Sequence, residues 1–260
     1  SLGGVSSYTG DNKKAIECLE KALKISLDNG FMKTALRAYN DLAAVLPSEE
    51  NERRLEFYEK GLELAKKVGY ISFQSGIGTN LVWSYLNMGN VNKAVLLAEE
   101  SVVLGKKAGL TTLLPMSISV LGFAYQVLGE WDKSEQCYKE ALSISERLSD
   151  FQSIAFCYAS VGWFHFDKGE YVKAKEFYEK VIESYEKAGA KHSQMGASTE
   201  LVLTYIELGE IEKAENLINS LCKFTPKVED KLLIAKVDAL RAMLFRAQKK
   251  WKESIEYFEK

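Results

Sequence analysis

Apolar residues recur at three- and four-residue spacing through most of the chain, most clearly over 113–128 and 132–148. That spacing marks helices that each bury one face. Short polar turns separate the periodic stretches, and the turns are in phase. Gly89, Gly129, Gly169 and Gly209 stand 40 residues apart and open the turns GNVNKA, GEWDKS, GEYVKA and GEIEKA. GDNKKA from Gly10 is another copy, and KKWKES from Lys249 is a degraded one that lacks the glycine. The small residue of the turn is Ala15, Ala94, Ser134, Ala174, Ala214 or Ser254. Glycine at the head of such a turn suits a left-handed C-cap that ends the first helix. Six in-phase copies predict a repeat architecture, with helix, turn, helix and turn in each period.

The period divides the chain into a partial repeat 1–30, repeats 31–70, 71–110, 111–150, 151–190 and 191–230, and a partial repeat 231–260. Repeat 31–70 diverges: its turn is PSEEN, and Pro47 is expected to end its first helix. The expected fold class is therefore all-α, a single solenoid of about twelve helices in which each repeat contacts mainly its neighbours. The divergent repeat is its expected weak point. Neither end shows a polar capping helix, so the segment reads as an excised part of a longer protein whose ends are open to self-association.

Within each period a finer motif repeats. Repeat 111–150 carries Leu121, Gly122, Tyr125, Gly129, Ser134, Tyr138 and Ala141; repeat 151–190 carries Val161, Gly162, His165, Gly169, Ala174 and Tyr178. Leu81, Tyr85, Gly89 and Ala94, and Leu201, Tyr205, Gly209 and Ala214, continue it. This pattern resembles the tetratricopeptide repeat, although the period of 40 exceeds that family's 34 and the closing proline is missing. The resemblance implies a right-handed superhelix whose first helices line a concave face. The long second helices, with endings such as SERLSD and YEKAGA, resemble the sensor regions of STAND-type signalling ATPases and related multidomain regulators.

Columns of residues can then be read down the stack. The column Tyr85, Tyr125, His165, Tyr205, Phe245 should wedge between the two helices of each repeat, which makes His165 a core histidine in a tyrosine slot. Val91, Trp131, Tyr171, Ile211 and Trp251 follow the turn and should also be structural. Trp83, Phe123, Trp163, Leu203 and Met243 form a different column, which the resemblance directs toward the groove. The candidate partner-binding residues on that face are Thr79, Trp83, Asn87, Met116, Phe123, Gln126, Phe156, Trp163, Phe166 and Leu203. Aromatic side chains bury about 150–250 Å² each when covered, so three neighbours make an apolar patch of binding-site size. The same aromatics can instead pack laterally and close a narrow superhelix, and sequence leaves both arrangements open.

Composition narrows the function. Lys plus Arg number 34 against 36 Asp plus Glu, and the net charge is −2, so nothing favours a phosphate backbone or an anionic membrane surface. No apolar run reaches the ~20 residues of a membrane span, and the N-terminal residues lack a signal-peptide pattern. Cys18, Cys137, Cys157 and Cys222 are scattered without a metal-ligand spacing, which suits a reduced, cytoplasmic protein. No phosphate loop, zinc motif or dinucleotide fingerprint is present, so no enzyme activity and no cofactor are expected. A protein, peptide or small ligand held on the concave face is expected, in either a sensor or a static scaffold. A grip on acidic chaperone tails is disfavoured by the aromatic column with Asp167 and Glu207 beside it. RNA reading by stacking is disfavoured by the missing positive charge.

Overall fold

The computed structural model describes residues 12–47, 50–228 and 231–259. The turn at Gly10 and the start of the partial repeat 1–30 lie outside them, as does the side chain of His192. Among the described residues the chain is thirteen α-helices and no strand. They are α1 (Asn12–Asp28), α2 (Met32–Val45), α3 (Asn51–Val68), α4 (Ile71–Asn87), α5 (Val91–Lys107), α6 (Leu114–Leu128), α7 (Trp131–Leu148), α8 (Phe151–Asp167), α9 (Tyr171–Lys187), α10 (Lys191–Glu207), α11 (Ile211–Val228), α12 (Lys231–Ala247) and α13 (Trp251–Phe258). The chain is an all-α helical-repeat solenoid. It divides into two compact units, residues 1–144 and 145–260, with the boundary inside α7.

The turns explain the phased glycines. Gly89, Gly129, Gly169 and Gly209 have φ between 71° and 88°, a region costly for side chains with a Cβ. At each, the second residue of the turn returns a backbone bond to the carbonyl of the bulky column: Asn90 to Tyr85, Glu130 to Tyr125, Glu170 to His165 and Glu210 to Tyr205, at 2.8–2.9 Å. These six-to-one bonds satisfy carbonyls that the helix end would leave open. The degraded copy keeps the geometry without the glycine, since Lys249 sits at φ 61°. In the divergent repeat, α2 ends at Val45 and Leu46 is extended before Pro47, as the ring of a following proline requires.

The glycine of the finer motif is a packing residue. A Cβ on Gly122 would meet the Tyr138 ring at 2.9 Å, and one on Gly162 would meet the Tyr178 ring at 2.8 Å. Small and large residues trade places down the column: where Val82 and Val202 replace the glycine, Ala98 and Ile218 replace the tyrosine, and all four are buried. The first unit builds its core on Leu36, Tyr58, Leu62, Ala65, Ile77 and Leu81. The second has one cluster around Ala155, Ala174, Tyr178, Val181 and Leu201 and another around Met195, Val202, Ile218, Leu221 and Val237.

Candidate binding site

The bulky column is structural, and it is tied down by charge. Tyr85 donates to Glu59 at 2.8 Å, Tyr125 to Glu99, and Tyr205 to Glu179 at 3.5 Å. The lysine of each turn motif then lies over the ring: Lys93 over Tyr85, Lys133 over Tyr125 and Lys213 over Tyr205, at 5.3–5.8 Å. These are cation–π distances; in the fourth copy Lys173 bonds Glu170 at 2.9 Å instead. His165, half-buried in the same slot, stacks on Phe177 at 5.5 Å and bonds through Nδ1 to Glu170 at 2.7 Å. Lys173 and the His165 hydrogen bond hold the Glu170 carboxyl down to about 2.

The first unit brings two of the expected site residues together. The Trp83 and Phe123 rings lie 4.8 Å apart, tilted by 34°, and both are half-buried. Beside them Asn80 donates to Asn40 at 2.8 Å, so the same register places adjacent first helices in side-chain contact. Trp83 and Asn87 also line a pocket of 290 Å³ with Asn80, Ser84, Ala43, Ala44, Arg54 and Tyr58. Met116 is exposed.

Thr79 and Gln126 do not sit on an open surface. Thr79 is buried, donates to the Ser75 carbonyl at 2.9 Å and meets the Ser117 hydroxyl at 3.2 Å. Gln126 is buried and accepts from the Tyr138 hydroxyl at 2.9 Å. Each residue turns a helix by about 100°, so these two columns, set off from the aromatic one, face neighbouring helices.

In the second unit Trp163 is 37% exposed. Its indole N–H bonds to Glu200, a carboxyl that burial pushes up while Lys236 and this hydrogen bond oppose the rise. Phe156 and Leu203 are half-buried, and Phe166 sits edge-on to Tyr171 at 5.1 Å. Trp131, expected to be packed, is 38% exposed. It is the first residue of α7, and the start of a helix has no preceding turn to cover it. Trp251 is more exposed still. The column after the turn is therefore mixed: Tyr171 packs on Phe166 and Ile211 on a core cluster, while Trp131 and Trp251 are open.

Sequence columns did not single out Arg54, Asn40, Asn80 or Glu200. The last three share one 40-residue register with Val120, Ser160 and Leu240, so the signal was present as a column of mixed polarity. Among the described residues no His, Cys, Asp and Glu cluster could hold a metal ion, and no helix is long and apolar enough to cross a membrane.

The in-phase Schellman turns, the glycine–tyrosine exchange and the packed helix pairs define a helical-repeat protein. Tetratricopeptide-repeat family models match residues 114–187 and 1–29. Similar solved structures include the Rap conjugation gene regulator of the plasmid pLS20 in complex with the Phr* peptide, with TM-score 0.67 and 16% identity over 87% of this chain and 64% of that one. A STAND protein with a tetratricopeptide-repeat sensor from Pyrococcus horikoshii has TM-score 0.63 and 17% identity over 97% of this chain and 39% of that one. BtubC from P. vanneervenii has TM-score 0.64 and 16% identity over 84% and 92%. Among curated proteins, none matches the sequence. The two matched segments carry the tetratricopeptide repeat, and in fold the chain resembles tetratricopeptide-repeat proteins, the sensor region of that ATPase among them.

Proposed function

We propose that the chain is a non-enzymatic binding domain that takes a peptide or protein segment on the face of its first helices. The observation that carries this is the half-buried Trp83–Phe123 pair, with Trp83 lining a pocket that also holds amides, hydroxyls and a guanidinium. Aromatic anchors beside a few polar groups are what ligand sites on proteins consist of. Trp163, partly exposed beside the half-buried Glu200 carboxyl, offers a second anchor in the other unit. One similar structure holds a peptide and another contains a repeat sensor within a larger ATPase, which supports a role as the sensor of a cytoplasmic multidomain regulator. The scaffold alternative differs in one respect: a sensor's ligand must bind two states of the protein with different affinity.

The test is a random peptide library panned on the chain, followed by amide exchange with and without the selected peptide. Protection that spreads beyond the helices contacted supports a sensor, and protection confined to them supports a scaffold. Selected peptides whose protection falls on the second helices, with α2, α4 and α6 unaffected, would refute binding at the first-helix face.

A further inference from the structure

A cleft of 410 Å³ opens between the second helices α3 and α5. It shares no lining residue with the pocket that holds Trp83. Leu62, Leu81 and Leu97 form its floor, and the first two are buried. Its walls run from Glu59 to Lys66 on α3 and from Lys93 to Glu100 on α5. Each wall is therefore about two helical turns long, or roughly 10 Å.

The neighbouring repeat shows what closes such a cleft. There Lys106 and Glu140 bridge α5 to α7 with an ion pair of 2.7 Å. Their counterparts 40 residues earlier are Lys66 and Glu100, which carry the same charges yet form no ion pair among the described residues. Leu96 marks the same cleft. It is 62% exposed, and in the other full repeats the register puts Glu56, Gln136, Glu176 and Asn216 at its place. Exposed aliphatics scattered singly are ordinary, but this one stands on the wall of an open apolar floor.

Charge decides the occupant. Glu59, Glu63 and Glu100 gather at the middle of the cleft, since the register sets Glu100 level with position 60 on the other wall. Lys93 is drawn onto the Tyr85 ring, and Lys66 stands at the far end. Glu63 and Glu100 have no cationic partner among the described residues. An apolar floor two turns long with an acidic middle complements two turns of helix that carry aliphatic residues seven apart and a cation between them. Anchors at that spacing are how an amphipathic helix enters a groove.

We propose that the α3–α5 cleft docks a helix of another protein, anchored by two aliphatic residues seven apart with a lysine or arginine between them. This surface lies on the second helices and does not depend on the peptide-binding reading above.

The probes are the helical peptide SAAELAAKKAALAQA, a copy with both lysines changed to glutamate, and a copy with both leucines changed to serine. Each carries an N-terminal fluorescein and is titrated with the chain, read by fluorescence anisotropy. The lysine peptide is expected to bind about tenfold or more tightly than either copy. Burying one leucine alone is worth that factor, and the charge change turns attractions into repulsions. Leu96→Gln, which installs the residue of the next repeat, should weaken the lysine peptide about tenfold. Glu63→Gln together with Glu100→Gln should abolish the preference for lysine over glutamate. All three positions are exposed, so the helical signal should stay intact, which circular dichroism checks. Trp83→Ala should leave the affinity unchanged. Lysine and glutamate peptides that bind alike, or lysine and serine peptides that bind alike, overturn the proposal. So does a folded Leu96→Gln chain that binds the lysine peptide as the wild type does, or a folded Glu63→Gln, Glu100→Gln chain that keeps the preference. Binding lost in Trp83→Ala but kept in Leu96→Gln moves the peptide to the first-helix face and overturns the cleft. Silence from all three peptides also overturns it, while the first-helix face stands or falls separately by the panned peptides.

Discussion

Gly162→Ala and Gly196→Ala are the same chemical change in first helices of the same unit, and the structure predicts opposite outcomes. Replacing glycine by alanine inside a helix should gain roughly 1 kcal/mol from propensity alone. At Gly196 nothing lies within 4 Å of the new methyl group, so that gain should appear in full. At Gly162 the methyl would sit 2.8 Å from Tyr178 Cε1 and 3.1 Å from two more ring carbons. Tyr178 is almost fully buried, so the ring has nowhere to go. Overpacking of this kind costs about 1–3 kcal/mol. Gly162→Ala should therefore be about 1–3 kcal/mol less stable than Gly196→Ala. Near Tm, each kcal/mol corresponds to roughly 2–4 °C for a domain of this size. Thermal unfolding by circular dichroism reads the difference. Tyr178→Ile in the Gly162→Ala background should give less loss than the two single changes summed, because Val202 with Ile218 already fills the same slot this way. Equal stability of the two alanine variants would refute the claim that the motif glycine exists to admit the tyrosine ring.

Three further outcomes follow from the same structure. Lys249→Gly should stabilise the last turn by about 1 kcal/mol, because Lys249 occupies the left-handed position that glycine takes in the other copies; an unchanged Tm contradicts it. The Glu170 carboxyl is held from 4.5 down to about 2, so folding favours its ionised form. Its contribution is present above the ordinary carboxylate range and is lost as pH falls from about 4.5 towards 2; carbon-detected titration should give a depressed midpoint that rises in His165→Phe. Trp131→Ala and Trp163→Ala should cost similar amounts, both below the ~3–5 kcal/mol of a fully buried aromatic, since the two are equally exposed; unfolding of either variant would show that exposure misjudges its packing.

Much of the fold was legible because its signals repeat. Periodicity over 113–128 and 132–148 became α6 and α7 within a residue at each end, and Pro47 ended α2 where the ring demands it. The site was harder to read, because a 40-residue register shows which residues are equivalent but not which way a column faces. Thr79 and Gln126 share helices with Trp83 and Phe123, yet a fraction of a helical turn directs them onto Ser117 and Tyr138. Trp131 looked structural from its column just after the turn, and that place, the first position of α7, left it partly exposed. Arg54 was passed over although the register sets it against Ala94, Ser134, Ala174 and Ala214, because the divergent turn at Pro47 was the only departure taken from that repeat.

The central claim is that the first-helix face around Trp83 and Phe123 receives a peptide. The most direct measurement is the affinity of peptides selected on the wild-type chain for Trp83→Ala and Phe123→Ala, with Val103→Ala, an exposed residue on the second helix α5, as control. Truncating a central aromatic anchor typically costs at least about 2 kcal/mol, which is roughly a thirtyfold loss. The account predicts that loss for Trp83→Ala or Phe123→Ala, with the helical signal intact and the control unchanged. Peptides that bind both folded variants as tightly as the wild type would contradict it and place the binding surface on another face.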